Sequence, residues 1–198
     1  MIVLAADTSL PILSVALISD GTLIGAMALE GRGSRNEKLL PAIDWLLAEN
    51  GVERGAVELF AVTRGPGSFT GVRIGLATVQ GLAMALRRPV CAMSTHEAIA
   101  FGESGRAAVV DDAGRGEFYV SEVEDGHVIV PAHLAGGVPD GRVIRVSDFA
   151  QRDNVALRCA RRALDIEQRG EGERYRDVTP IYVRLAEAEV KLQAKRDG

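Results

Sequence analysis

Residues 64–86, RGPGSFTGVRIGLATVQGLAMAL, constrain this chain more than any other stretch. They follow an apolar run, 59–63, that reads as a buried strand. Gly65, Pro66 and Gly67 fix the path of the next loop tightly. Ser68 or Thr70 then stands where a hydroxyl accepts a free amide at a helix start. The helix that follows is apolar nearly all round, and Arg73, Gln80 and Arg87 form one narrow polar line. Such a helix must be covered on more than one side, and a sheet covers only one. Gly71, Gly75 and Thr78 share a helical face, continued near Gly81 and Ala85. Each helical glycine costs about 1 kcal/mol relative to alanine. A face kept flat at that cost admits another backbone, either the chain's own sheet or a helix of a partner subunit. The stretch alone leaves both open, internal packing being the commoner use of such a face.

Around it the chain reads as alternating elements. Runs 2–6, 13–18 and 22–29 are strand-like, and Asp20-Gly21 is a strong hairpin signal, so the chain opens with an antiparallel meander. Ser34 to Glu37 fits a capping box, followed by Leu39, Leu40, Ile43, Leu46 and Leu47 at helical spacing and a stop at Gly51. Pro41 inside that pattern predicts a kink or a later helix start. After the central helix, Arg88-Pro89 is a break, 90–93 a strand, and Ser94 to Glu97 a second capping box opening a short helix. Three strands, helix, strand, helix, strand is the order of a ribonuclease H-like lobe, the unit doubled in actin-like and sugar-kinase ATPases.

The second half repeats the opening. Asp111 ends an apolar run and precedes Asp125-Gly126 by 14 residues, as Asp7 precedes Asp20-Gly21 by 13. Beyond it, 134–141 reads as a Gly/Pro loop, 141–146 as a strand, and 154–168 as an amphipathic helix. Residues 170–177 are charged and read as mobile, 180–183 as extended, and 184–195 as a terminal helix. The expected division is a first lobe over 1–103 and a shortened second lobe over 104–198, whose C-terminal helix packs back on the first. No room remains for a full second lobe with an adenosine subsite.

Composition narrows the classes. With 198 residues and 47% hydrophobic content the chain buries a sizeable core. A net charge of -4 argues against a surface that grips nucleic acid throughout. No apolar run is read as a membrane span, and the opening residues read as a strand rather than a signal peptide. Cys91 and Cys159 lack any paired-ligand spacing and read as free, buried thiols of a cytoplasmic protein.

Candidate chemistry is thin. Asp7-Thr8-Ser9 ends the first strand at a turn of the kind that serves phosphates and magnesium in actin-like ATPases, or it is a plain turn. The loop from Gly65 to Gly71 lacks the lysine of a P-loop and the spacing of a dinucleotide fingerprint. His96, His127 and His133 form no helical metal pair and read as surface or capping residues. Asp111-Asp112 reads as a turn rather than a metal site. There is no Gly-x-Ser-x-Gly elbow, and neither cysteine has a candidate base nearby in sequence.

The run from Gly65 through Pro66, Gly67, Ser68, Phe69, Thr70, Gly71, Val72, Arg73 and Ile74 to Gly75 closely resembles the signature of the TsaB family, also called YeaZ. Asp7-Thr8-Ser9 resembles the family's opening turn, 34–41 its first-helix entry, 111–120 its second-lobe opening and 180–184 its C-terminal segment. Gly33 stands where the family usually has a histidine. The resemblance implies an α/β, actin-like and ribonuclease H-like (ASKHA) fold with a degenerate second lobe. It implies a non-catalytic scaffold in making threonylcarbamoyladenosine on tRNA, paired with the catalytic paralogue TsaD and the ATPase TsaE, or with itself when alone. The His-x-x-x-His pair of the catalytic paralogue is absent from this sequence.

Residues and resemblance together give the following expectations. The chain has no catalytic or metal-ligating set and requires no cofactor, with room for weak ATP or ADP binding at Asp7, Thr8 and Ser9. It reaches tRNA through the complex and does not contact membranes. Partners dock on helices 37–50 and 72–86 through Leu39, Ile43, Leu46, Gly71, Gly75, Thr78 and Leu82. With the resemblance added, the flat helix face is expected to serve a partner. The alternative is a stand-alone actin-like ATPase or small-molecule kinase; a metallopeptidase fits the residues least.

Overall fold

In a computed structural model, which describes residues 1–30 and 35–184, the chain builds two sheets. The first has the order β3-β2-β1-β4-β5, from β1 (Ile2–Asp7), β2 (Leu13–Ser19), β3 (Thr22–Leu29), β4 (Leu59–Thr63) and β5 (Val90–Met93). β1, β2 and β3 pair antiparallel, and β4 and β5 add parallel to β1. The turn between β2 and β3 has positive φ at Asp20 (48°) and Gly21 (82°), which suits the strands' right-handed twist.

β1 and β4 are continuous apolar runs because both their faces are covered. Leu4, Ala6, Phe60 and Val62 point to a layer made by α1 (Arg35–Glu49) and α2 (Phe69–Leu86). Val3, Ala5, Leu59 and Ala61 point to the opposite layer, where α5 (Val155–Gln168) and α3 (Thr95–Ala100) lie. Each fully buried leucine or isoleucine in these layers contributes roughly 1.5–3 kcal/mol. α1 runs through Pro41, which neither ends nor delays it. The Ser34 side of its expected capping box lies outside the described residues. α2 starts at Ser68, whose hydroxyl accepts from Gly71 N, and ends at Arg87 in the left-handed region. By length and composition α2 is apolar enough to cross a membrane, contrary to the reading that no such run exists. It lies instead along the sheet, with six of its residues buried.

The second sheet repeats the first. β6 (Arg106–Gly114), β7 (Glu117–Glu124) and β8 (His127–Ala135) form an antiparallel meander, and β9 (Val143–Arg145) adds parallel to β6, giving the order β8-β7-β6-β9. The helix that separates the third and fourth strands in the first lobe has no counterpart here. α4 (Val146–Arg152) packs on β6 and β9. α5 follows the second lobe in sequence yet covers the first sheet, so the first lobe is completed by residues beyond 103.

Two other expectations change. Ser94 caps α3 as read, accepting from Glu97 N at 3.0 Å, but Glu97 does not reach back. Its Oε1 takes Arg162 Nη2 at 3.0 Å and the Tyr175 hydroxyl at 2.7 Å, joining α3, α5 and the segment beyond. That segment, read as mobile, holds a 3-10 turn at Gly172–Tyr175, and Arg176 bonds Val90 O and pairs with Glu167. The expected terminal helix lies outside the described residues, apart from Arg184.

Candidate functional site

The turn after β1 is buried and bonded within the chain. Asp7 Oδ1 accepts from Ser9 Oγ at 2.6 Å and from Thr63 Oγ1, and Ser9 Oγ shares a 2.9 Å bond with Thr95 Oγ1. Thr8 Oγ1 donates to Gly71 O at 2.6 Å, and Ser68 N donates to Ser9 O at 2.7 Å. Asp7, Thr8 and Ser9 therefore tie β1 to β4, α2 and α3, and their side chains are at most 1% exposed. Burial raises the Asp7 carboxyl above the usual carboxylate range, against the hydrogen bonds from Ser9 and Thr63. Asp7 Oδ1 and Thr8 Oγ1 bond within the fold, while Asp7 Oδ2 is buried without a hydrogen-bond partner among the described residues; of the three residues, Ser9 lines the adjoining cleft.

That cleft, about 570 Å³, runs between the lobes. Ser9, Pro11, Gly67 and Ser68 form one wall, and Asp111, Ala113, Gly114 and Tyr119 face them. Burial, with Asp112 and Asp7 adding like charge, holds the Asp111 carboxyl up at about 6. Asp111 and Asp112 lie in β6, paired with Tyr119 and Phe118, rather than in a turn, and Asp112 Oδ1 accepts from Gly114 N at 2.6 Å where the strand enters its hairpin. No group of three metal-ligating side chains occurs among the described residues.

The histidine and cysteine readings divide. His96 is not a surface residue: it is fully buried, with Nδ1 2.8 Å from Ser121 Oγ, and burial pushes its pKa down to about 3. It is held neutral as a link between the lobes. Cys91 and Cys159 are free and buried as expected, and burial pushes the Cys91 thiol up to about 12. Such a thiol is a poor nucleophile.

Five of the seven expected interface residues are internal. Leu39, Ile43 and Leu46 are at most 1% exposed and belong to the core between α1 and the sheet. Gly71 and Gly75 are also inside: a Cβ at Gly71 falls 2.0 Å from Thr8 O, and one at Gly75 falls 2.3 Å from Thr8 Oγ1. The flat face thus admits the chain's own β1 turn. Thr78 and Leu82 sit half-buried at the margin.

The outward faces carry different residues. α1 exposes Leu40 and Trp45, and α2 exposes Phe69, Ala77, Gly81, Met84 and Ala85. Trp45 is 53% exposed and Met84 72%. The signals existed in sequence. Trp45 falls off the apolar stripe of α1, and Ala77, Gly81 and Ala85 repeat every four residues, opposite the buried arc of α2.

A strap closes the arrangement. Arg64 binds Asp177 and Thr179 O, and Ile181 N donates to Arg64 O at 2.7 Å. Tyr182 packs on Phe69 with ring centroids 5.0 Å apart and accepts from Arg73 Nε at 2.7 Å. Arg184 donates to Ala113 O at 2.9 Å and pairs with Glu117. Residues 181–184 therefore run from the start of α2 to the β6–β7 hairpin.

The comparisons with known proteins converge on one family. The family model "TsaD: tRNA N6-adenosine threonylcarbamoyltransferase" matches residues 33–138. The tRNA threonylcarbamoyladenosine biosynthesis protein TsaB of Escherichia coli K12 is 36% identical over 129 residues, 63% of this chain and 55% of that protein. The chain spans about half the length of the curated TsaB relatives it matches. YeaZ from Pseudomonas aeruginosa superposes with a TM-score of 0.68 at 30% identity, over 91% of this chain and 99% of that one. A second Pseudomonas aeruginosa structure, of an uncharacterized protein similar to peptidase YEAZ, gives 0.74 at 29% identity, over 92% and 99%. With its doubled actin-like lobes, its glycine-rich loop leading into α2 and these relatives, the chain belongs to the TsaB/YeaZ family.

Proposed function

We propose that this chain is a non-catalytic scaffold subunit for threonylcarbamoyladenosine modification of tRNA. It pairs with a TsaD-like catalytic paralogue, works with a TsaE-like ATPase, meets tRNA through that assembly, and self-associates when alone. The names of the relatives support the pathway. The observation that carries the docking role is the apolar surface left open across α1 and α2, where Leu40, Trp45, Phe69 and Met84 are each 39% exposed or more. A surface of this kind on neighbouring helices marks an interface. In the ribonuclease H-like turn Asp7 Oδ1, Thr8 Oγ1 and Ser9 Oγ bond within the chain and Asp7 and Thr8 are buried, which weighs against the ATPase or kinase alternative. Two free thiols suit a reducing compartment, and we place the protein in the cytoplasm.

The test is co-purification with the paralogue that carries the His-x-x-x-His pair. Trp45→Glu and Met84→Glu change exposed side chains, so each variant should keep its circular dichroism spectrum and melting temperature while losing the paralogue. Retention of the paralogue by both folded variants overturns the docking face.

A further inference from the structure

Arg73 is the one charged residue of α2, and it stands on the open face. Its guanidinium is held against the packed Phe69–Tyr182 pair. Cζ lies 3.8 Å from the Phe69 ring centroid and 5.6 Å from that of Tyr182, and Nε donates to the Tyr182 hydroxyl at 2.7 Å. Stacking together with the Nε bond restrains the plane of the fork, and that bond uses Nε rather than a terminal nitrogen. Among the described residues no carboxylate pairs with Arg73, whereas nine other arginines of the fold have one. Beside it lies a hollow of about 330 Å³ lined by Phe69, Thr70, Arg73, Ile74, Ala77 and Thr78.

An apolar partner laid over this surface strips water from the guanidinium. That is unfavourable unless the partner supplies an acceptor. A rigid, planar fork is matched best by a carboxylate. The neighbouring helix α1 has Glu37 and Glu49 exposed, and its Asp44 is already paired with Arg54 at 2.6 Å. The chain therefore carries both signs of one charge pair on adjacent helices of the same layer, cation on α2 and anions on α1. A two-fold axis that lays α2 of one copy against α1 of another brings them together twice.

We propose that Arg73 is the charged anchor of self-association: stacked on Phe69 and bonded to the Tyr182 hydroxyl, it takes a carboxylate, Glu37 or Glu49, from α1 of a second copy. This rests on the reading of the α1–α2 surface as a docking face. Phe69 and Tyr182 act as positioning residues that hold the fork in place before contact.

Sedimentation equilibrium of the full purified chain tests it, with melting curves as the folding control. Arg73→Glu should weaken the dimer about tenfold or more, the scale for removing one member of a desolvated charge pair. Arg73→Lys keeps the charge but loses the fork and should fall between. Adding Glu37→Arg or Glu49→Arg to Arg73→Glu should restore association, and the swap that does so identifies the acceptor. Tyr182→Phe should weaken association a few-fold and leave its salt dependence unchanged, since the charge is still present. If Trp45→Glu dissociates the dimer while Arg73→Glu does not, the anchor fails and the docking face stands. If neither changes association, the face itself fails. A wild-type chain that stays monomeric at every concentration, or an Arg73→Glu defect that neither swap repairs, overturns the carboxylate of a second copy as the occupant.

Discussion

Thr8 Oγ1 donates a 2.6 Å hydrogen bond to the carbonyl oxygen of Gly71, in the first turn of the helix that defines this chain's sequence. The two segments are 63 residues apart, and the contact brings backbone against backbone. A Cβ on Gly71 falls 2.0 Å from Thr8 O, whereas one on Gly81, ten residues along the same helix, meets nothing within 4 Å. α2 thus has two flat stripes with different causes, one pressed onto β1 and one facing outward.

The first prediction contrasts them. Gly71→Ala should destabilise the protein by about 3 kcal/mol, because the obstructing atom is backbone and either the helix or the β1 turn must move. For a domain of this size the melting temperature should fall roughly 5–10 °C. Gly81→Ala should act in the opposite sense, stabilising by up to about 1 kcal/mol through helix propensity alone. Thermal melts of both variants at a dilution that disfavours association check the pair. Equal effects of the same sign would show that Gly71 is not an internal contact.

Much of the fold was legible because local chemistry repeats. Asp20-Gly21 and Asp125-Gly126 each form a turn with two positive φ values, and each joins the second and third strands of its meander. Ser68 and Ser94 cap their helices as read. Legibility ended where a long-range partner decided the outcome. Gly71 and Gly75 lie flat for any close neighbour, and helical spacing cannot say whether that neighbour is Thr8 or another chain. Glu97 fits a capping box by spacing, but the nearly buried Arg162, 65 residues away, draws its carboxylate instead. His96 stands in an α3 first turn, where a surface position is usual, yet β7 brings Ser121 against it. Residues 170–177 read as charged and mobile and 180–183 as extended, yet Arg176, Ile181, Tyr182 and Arg184 are pinned by Val90, Arg64, Arg73 and Ala113, four points scattered along the chain.

The second prediction concerns pH. The folded state keeps Asp111 protonated up to about 6, above its ordinary carboxylate value of 3.8. Between those two values the native state binds more protons than the unfolded chain, so this group's contribution to stability falls as pH rises from near 4 to near 6. Asp111→Asn cannot ionise and keeps an oxygen for the Asp112 amide, which donates to Asp111 Oδ1 at 3.0 Å. The variant should match the wild type near pH 4 and exceed it by about 1 kcal/mol at pH 7, after discounting for the partial solvent contact of the side chain. His96, held neutral down to about 3, acts in the other direction, losing stability as pH falls below 6.5. Because both proteins contain it, the difference between their denaturant midpoints isolates Asp111. A pH-independent difference would mean that Asp111 ionises normally in the cleft.

The third prediction follows from the strap. Arg184 holds the β6–β7 hairpin by Ala113 O and Glu117, while Ile181 and Tyr182, three and two positions before it, are fixed to Arg64, Phe69 and Arg73 on the first lobe. Ala113 and Gly114 form part of one cleft wall, and Gly67 and Ser68, next to the other anchor, form part of the opposite one. Loss of the Arg184 contacts should therefore release the hairpin wall and leave the first lobe intact. In Arg184→Ala, amide exchange across 112–118 should quicken about three- to tenfold, the range for one charge-assisted contact at a partly exposed site. Exchange in α2 and β1 should not change. Tyr182→Ala cuts the strap at its other anchor and should quicken exchange in the same hairpin as well as at the first turn of α2. If the hairpin exchanges at the wild-type rate in both variants, the β6–β7 pairing alone fixes that wall, and the strap has no part in setting the width of the cleft.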